Sequence, residues 1–100
     1  MESEIIQFIT KFKSLHPKAI EDAFLFGNCY WFAVILSQRF MSEIYYMPIA
    51  NHFITKIDSN FYDISGLIIP DEQPISWDIF QNMEPKLSQR IQKYCIQLVD

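Results

Sequence analysis

Apolar residues near the start of the chain recur at helical spacing. A proline at position 17 should end this first helix, because the residue before a proline avoids the helical region. The apolar positions that predict an amphipathic first helix over residues 3–15 are Ile5, Ile6, Ile9, Phe12 and Leu15.

A second short helix is predicted over residues 18–26, with Gly27 as its stop signal.

The most continuous apolar stretch, from Tyr30 to Leu36, predicts a buried helix. Asn28 is a suitable N-cap, so this helix is expected to run from Cys29 to about Phe40. Apolar residues on most of its faces favour a central position in the fold. Its first turn carries the Cys29 thiol, toward which the free backbone amides of the helix start would point.

Beyond this helix the apolar period changes from helical to alternating. Residues 43–47 predict a strand that ends at Pro48. Residues 52–57 and 61–64 alternate on either side of the turn-forming sequence Asp58-Ser59-Asn60. The pattern therefore predicts a β-hairpin in the middle of the chain.

Two registers are open for this hairpin. With Asp58-Ser59 as a two-residue loop, Asp63 lies opposite Ile54. It then shares a sheet face with His52, at about 7 to 8 Å between the two backbones. With Ser59-Asn60 as the loop, the two residues keep one face but move two positions further apart, and a direct hydrogen bond is not expected.

The last third of the chain predicts a connector and two helices. Gly66 and Pro70 mark the end of the hairpin, and residues 70–74 are expected to form an exposed connector. Ser76 is predicted to cap a short helix that runs through residue 83. Pro85 suits the first position of a last helix, which continues at helical spacing to the C-terminus and buries Cys95.

Length and composition indicate a single compact domain over residues 1–100. Half of the 100 residues are hydrophobic and 16% are aromatic, enough for a small core. A net charge of −4 without a Lys/Arg cluster argues against nucleic acid as a partner. The longest apolar run is much shorter than the roughly 20 residues of a membrane span, so no membrane is expected. Two distant cysteines and no leader pattern favour a reducing, cytoplasmic setting, and the oligomeric state stays open.

Cys29, His52 and Asp63 form the candidate active site. A free thiol has a pKa of roughly 8.5, and a helix N-terminus and an imidazole can both stabilise its thiolate. The order of these residues therefore predicts a nucleophile, a base and a carboxylate that orients the base. Each also has a structural explanation, as a small core residue, a strand-end histidine and a turn carboxylate. Three such ligands plus water would also suit a catalytic zinc, but we expect neither a metal nor a cofactor.

Three segments resemble the transglutaminase-like and papain-like cysteine enzymes: GNCYWFAVILSQRF, NHFITKI and FYDISG. The resemblance covers residues 27–66. It implies an α+β fold in which N-terminal helices, including a central Cys-bearing helix, pack on a small antiparallel sheet, followed by a C-terminal helix. It also implies Cys29 as nucleophile, His52 as general base and acid, and Asp63 as the orienting carboxylate.

One part of the papain-like pattern has no counterpart in this chain. Papain-like enzymes place a glutamine ahead of the cysteine as an oxyanion donor, but no glutamine occurs between Phe8 and Asn28. Asn28 is therefore the side-chain candidate for stabilising the oxyanion, beside the backbone amide of Cys29.

These observations predict a small thiol enzyme that acts on an amide of a peptide or protein. The reaction would be hydrolysis, deamidation or acyl transfer through a thioester, and a related acetyl transfer is a weaker alternative. The chain also resembles small proteins encoded in prophages of AT-rich bacteria. The alternative function is therefore a catalytically inactive binding module, such as a phage-encoded inhibitor of a host protein.

Overall fold

The computed structural model of the chain describes residues 2–14, 18 and 29–91. These residues form an α+β fold with four helices and one antiparallel sheet of five strands. No helix within the described ranges has the length and apolar character needed to cross a membrane. The elements, in chain order, are α1 Glu2–Phe12, α2 Cys29–Arg39, β1 Glu43–Met47, β2 His52–Ile57, β3 Asn60–Asp63, β4 Gly66–Ile68, β5 Ile75–Ser76, α3 Trp77–Met83 and α4 Pro85–Ile91.

Some predicted features lie outside the described residues. They are the helix over residues 18–26 apart from Lys18, the last turn of the first helix at Leu15, and the end of the C-terminal helix with Cys95. The predicted helix at Cys29 and the strand at residues 43–47 are confirmed, with the bounds given for α2 and β1.

The sheet has the strand order β4-β3-β2-β1-β5, with β2 at its centre. In the β2–β3 hairpin Ile57 pairs with Asn60, so Asp58-Ser59 is the two-residue loop. The structure therefore has the first of the two predicted registers. Asp58 has a φ of 58°, a left-handed conformation that aspartate tolerates better than most residues.

Helix α2 packs on the centre of the sheet, as its apolar pattern predicts. Thr55 of β2 is fully buried, and its hydroxyl donates a hydrogen bond to the carbonyl oxygen of Ala33 at 3.2 Å. The helix is not buried on every face, because Trp31 is 42% exposed. Two apolar clusters surround it, the first formed by Ile5, Ile9, Phe32, Leu36, Ile57, Tyr62 and Ile64 and the second by Ala33, Tyr46, Phe53, Trp77, Phe80 and Ile91.

Two strands in the last third of the chain are absent from the sequence prediction. Gly66 begins β4 and pairs with Asp63, whereas the sequence suggested that it ends the hairpin. Strand β5 is only two residues long, and Ser76 belongs to it. Ser76 also precedes α3 but makes no side-chain capping hydrogen bond, so the predicted cap interaction is wrong. Strands this short contain too few residues to show an alternating pattern. They form because a neighbouring strand offers an edge for pairing, which the local sequence does not reveal.

The segment from residue 69 to residue 74 carries the chain from the β4 edge of the sheet to the β5 edge. Glu72 lies in this connector and accepts hydrogen bonds from the backbone N–H groups of Ile49 at 3.0 Å and Ala50 at 2.9 Å. Pro74 is buried, so the prediction of an exposed connector holds only in part. The connector is thereby tied to the turn that leads into His52.

Candidate active site

Cys29 occupies the first position of α2 and is half-buried against the second apolar cluster. The His52 side chain and the backbone N–H groups of Phe53 and Tyr30 lie close enough to the Cys29 thiol to lower its pKa. All three interactions favour the negatively charged thiolate over the neutral thiol. Asn28, the predicted N-cap and oxyanion donor, lies outside the described residues.

His52 and Asp63 meet because of the hairpin register. His52 opens β2 and Asp63 ends β3, and extending the observed pairing by one step places Asp63 opposite Ile54. The two side chains are then diagonal neighbours on one sheet face. His52 Nε2 lies 3.0 Å from Asp63 Oδ2, and the Cys29 thiol lies near the same imidazole. The structure thus brings all three predicted side chains together.

The second oxygen of Asp63 is held by Ser65. Asp63 Oδ1 accepts a hydrogen bond from the Ser65 backbone N–H at 2.8 Å and another from the Ser65 hydroxyl. Asp63 itself is only 7% exposed. The sequence analysis included Ser65 in the FYDISG segment but assigned it no role, although an aspartate followed two residues later by a serine is typical of a turn in which the carboxylate binds the backbone.

The surroundings of His52 favour its charged form. Burial by itself would lower the pKa of the imidazole, because it disfavours the cation. The hydrogen bonds to Asp63 and Cys29, together with their negative charges, act in the opposite direction and raise the pKa of His52 from 6.5 to about 9. These interactions therefore favour the imidazolium form of His52 at neutral pH.

The pKa values of the two neighbouring acids move downward. Burial acts to raise the pKa of Cys29, but the hydrogen bond and charge of His52 and the two backbone donors lower it below its ordinary value. Burial also acts to raise the pKa of Asp63, and the hydrogen bonds from His52 and Ser65 lower it overall. The site therefore favours a carboxylate, an imidazolium and a thiolate in sequence.

This arrangement has the parts of a nucleophilic thiol site. A thiolate is the reactive form of cysteine, and an adjacent imidazolium can donate a proton to a leaving group. The zinc alternative gains no support in residues 2–14, 18 and 29–91, because no group of three or more His, Cys, Asp or Glu residues there could hold a metal ion.

A second surface feature lies away from the thiol. An open groove of about 880 Å³ runs between α1 and the end of α2. The rings of Phe8 and Phe40 pack edge to face in its wall, with the Arg39 guanidinium 5.7 Å and 5.6 Å from their centres. Met41, at its rim, is 93% exposed. None of the three predicted site residues lines this groove.

Comparison with known proteins gives one result. No curated protein and no solved structure matches the chain. The model of one protein family, described as Phage YunG-like protein, matches residues 8–96 and so spans the whole candidate site. The chain therefore belongs to the family of phage YunG-like proteins.

Proposed function

We propose that the protein is a small thiol enzyme that cleaves or transfers the acyl group of an amide in a peptide or protein. The single observation behind this proposal is the 3.0 Å contact between His52 Nε2 and Asp63 Oδ2, with the Cys29 thiol beside the same imidazole. Burial of an acid, a base and a thiol together is unfavourable unless they pair, and here they pair in the order that nucleophilic catalysis uses.

The proposed reaction has two halves, and Cys29 and His52 act in both. The Cys29 thiolate attacks the amide carbonyl carbon, and the carbonyl oxygen becomes an oxyanion near the start of α2. Collapse of this intermediate breaks the C–N bond, and the His52 imidazolium gives its proton to the leaving amine. The acyl group remains on sulfur as a thioester. His52, now neutral, takes a proton from water or an acceptor amine while the oxygen or nitrogen of that molecule attacks the thioester carbonyl carbon. The C–S bond then breaks, which releases the acyl group and regenerates the thiolate.

The resemblance to transglutaminase-like and papain-like enzymes supports the proposal. These enzymes carry the cysteine at a helix start, the histidine on a strand and the carboxylate on the next strand. The chain has the same order in α2, β2 and β3. We infer a papain-like core on this basis. A thiolate nucleophile needs a reducing compartment to stay free, so the cytoplasm is the proposed site of action.

The proposal is tested with an activated ester, para-nitrophenyl acetate, because the natural amide is not needed to trap a thioester. The Cys95→Ser variant, which keeps Cys29 as its one thiol, should release para-nitrophenolate and carry a hydroxylamine-sensitive acetyl group at Cys29 in mass spectra. The double variant with Cys29→Ser should form no such adduct. Equal ester cleavage by both variants would contradict the proposal.

A second candidate function is an inactive binding module, such as an inhibitor of a host protein. The groove between α1 and α2 favours it, because its aromatic wall and the exposed Met41 lie apart from the thiol. Met41→Asp should then abolish binding to a host protein identified with the wild-type chain. Cys29→Ala should leave that binding intact, and the reverse result would exclude this candidate.

A further inference from the structure

The turn between β3 and β4 holds the carboxylate of the proposed site. Asp63 pairs with Gly66, so Ile64 and Ser65 form a two-residue turn. Ile64 is fully buried, and its carbonyl oxygen accepts a hydrogen bond from Lys13 Nζ at 3.2 Å. Gly66 has a φ of +113°, which a residue with a side chain adopts only with strain. The backbone of this turn is therefore fixed from both ends.

We propose that Ser65 is a positioning residue that keeps the Asp63 carboxylate turned toward His52. A carboxylate can rotate about its last side-chain bond, and a partial rotation would turn its oxygen atoms out of line with the imidazole N–H group. Ser65 donates to Oδ1 twice, through its backbone N–H and its hydroxyl, while Oδ2 faces His52. The hydroxyl therefore opposes rotation and keeps Oδ2 available to the histidine.

This inference rests on the proposed function, because a fixed carboxylate matters only if His52 must be held against the thiol. The local turn explains the backbone hydrogen bond, since an aspartate commonly binds the N–H group two residues ahead. It does not require the hydroxyl. We therefore assign the role of orienting the Asp63 carboxylate to the Ser65 hydroxyl.

The variants compare Ser65→Ala with Ser65→Thr, which keeps the hydroxyl. Ser65→Val serves as a second comparison, because valine and threonine have nearly the same shape. Ser65 lies at the surface, and Ser59 in the neighbouring hairpin turn is also exposed, so Ser59→Ala is the matched control. Two quantities are measured: the pKa of His52 by NMR, and the rate of Cys29 alkylation by iodoacetamide as a function of pH.

We expect Ser65→Ala and Ser65→Val to lower the pKa of His52 and, at pH values below the Cys29 pKa, to slow Cys29 alkylation about threefold, which corresponds to a rise of about half a unit in the Cys29 pKa. Ser65→Thr and Ser59→Ala should behave like the wild type. If the wild type shows a raised His52 pKa and Ser65→Val leaves both quantities unchanged, the positioning role is excluded. If the wild type itself shows an ordinary histidine and thiol, the proposed function fails first.

Discussion

At the scale of single residues, the properties of the thiol depend on its neighbours more than on its burial. Burial acts against the thiolate of Cys29, against the imidazolium of His52 and against the carboxylate of Asp63. Each of the three charges is stabilised by the next, so the pKa shifts follow the hydrogen bonds and oppose the burial effect. Removal of one member should therefore change the titration of the others.

The first prediction concerns the histidine. Cys29→Ser removes the thiolate charge but keeps a polar group of similar size, so the pKa of His52 should fall from about 9 toward its ordinary value of 6.5. The pKa is read from the imidazole signals in NMR spectra across a pH series. An unchanged His52 pKa would show that the thiol and the imidazole are not coupled.

The second prediction concerns stability in acid. The pKa of Asp63 is lower in the folded protein than its ordinary value of 3.8. The carboxylate therefore contributes stability that is present above pH 3.8 and is lost as the pH falls through the lower folded value. Asp63→Asn lacks this contribution. The difference in free energy of unfolding between the wild type and Asp63→Asn should shrink below about pH 4, as urea titrations can measure. A difference that grows in acid would contradict the assigned direction.

At the scale of elements, the hairpin register brings His52 and Asp63 together, and the packing of α2 on the sheet adds Cys29. The two-residue loop at Asp58-Ser59 fixes which residues face each other across β2 and β3. A shift of one residue would turn Asp63 to the opposite sheet face. The β3–β4 turn then fixes the far end of the hairpin, and Gly66 at this turn has a positive φ of 113°.

The third prediction tests that turn. Gly66→Ala should destabilise the protein by about 1 to 2 kcal/mol, because a φ of +113° is strained for alanine. Steric overlap is not the cause, since the new Cβ would lie 3.7 Å from Ile6 Cδ1. The free energy of unfolding is measured by urea denaturation. Leu67→Ala at the next, half-exposed position is the control and should cost less. Equal costs would show that the backbone conformation is not the source of the effect.

At the scale of the whole molecule, the sequence predicts the central elements better than the edges. The apolar run that starts at Tyr30 predicts α2 because a buried helix carries its signal within one segment. The alternating residues of β2 and β3 predict the hairpin, but two loops fit the residues equally well. Packing of Thr55 and Tyr62 under α2 settles which faces are buried, and no local signal carries that information.

In the candidate site, too, the sequence predicts the residues but not the contacts between them. The order of Cys29, His52 and Asp63 follows from reading the chain, whereas their contact depends on register and on a helix packed over the sheet. Ser65 was assigned no role because a serine in a turn has a local explanation, and its hydrogen bond to Asp63 acquires meaning only when His52 lies on the other oxygen. Strand β5 was missed because two residues carry no period.

The fourth prediction concerns cooperativity. The two apolar clusters are joined through α2, which contributes Phe32 and Leu36 to one and Ala33 to the other. We therefore expect the chain to unfold in one transition. Tryptophan fluorescence and far-ultraviolet circular dichroism should give the same urea midpoint. Two separate midpoints would show that the clusters unfold independently.

The central claim is that His52 maintains Cys29 as a reactive thiolate. It is tested most directly by the pH dependence of Cys29 alkylation in the Cys95→Ser background, with and without His52→Ala. We expect rapid alkylation well below the ordinary thiol pKa of roughly 8.5 when His52 is present, and an ordinary thiol profile when it is replaced. The urea-unfolded chain provides the reference rate. Identical profiles for the two folded proteins, both following the reference, would contradict the claim.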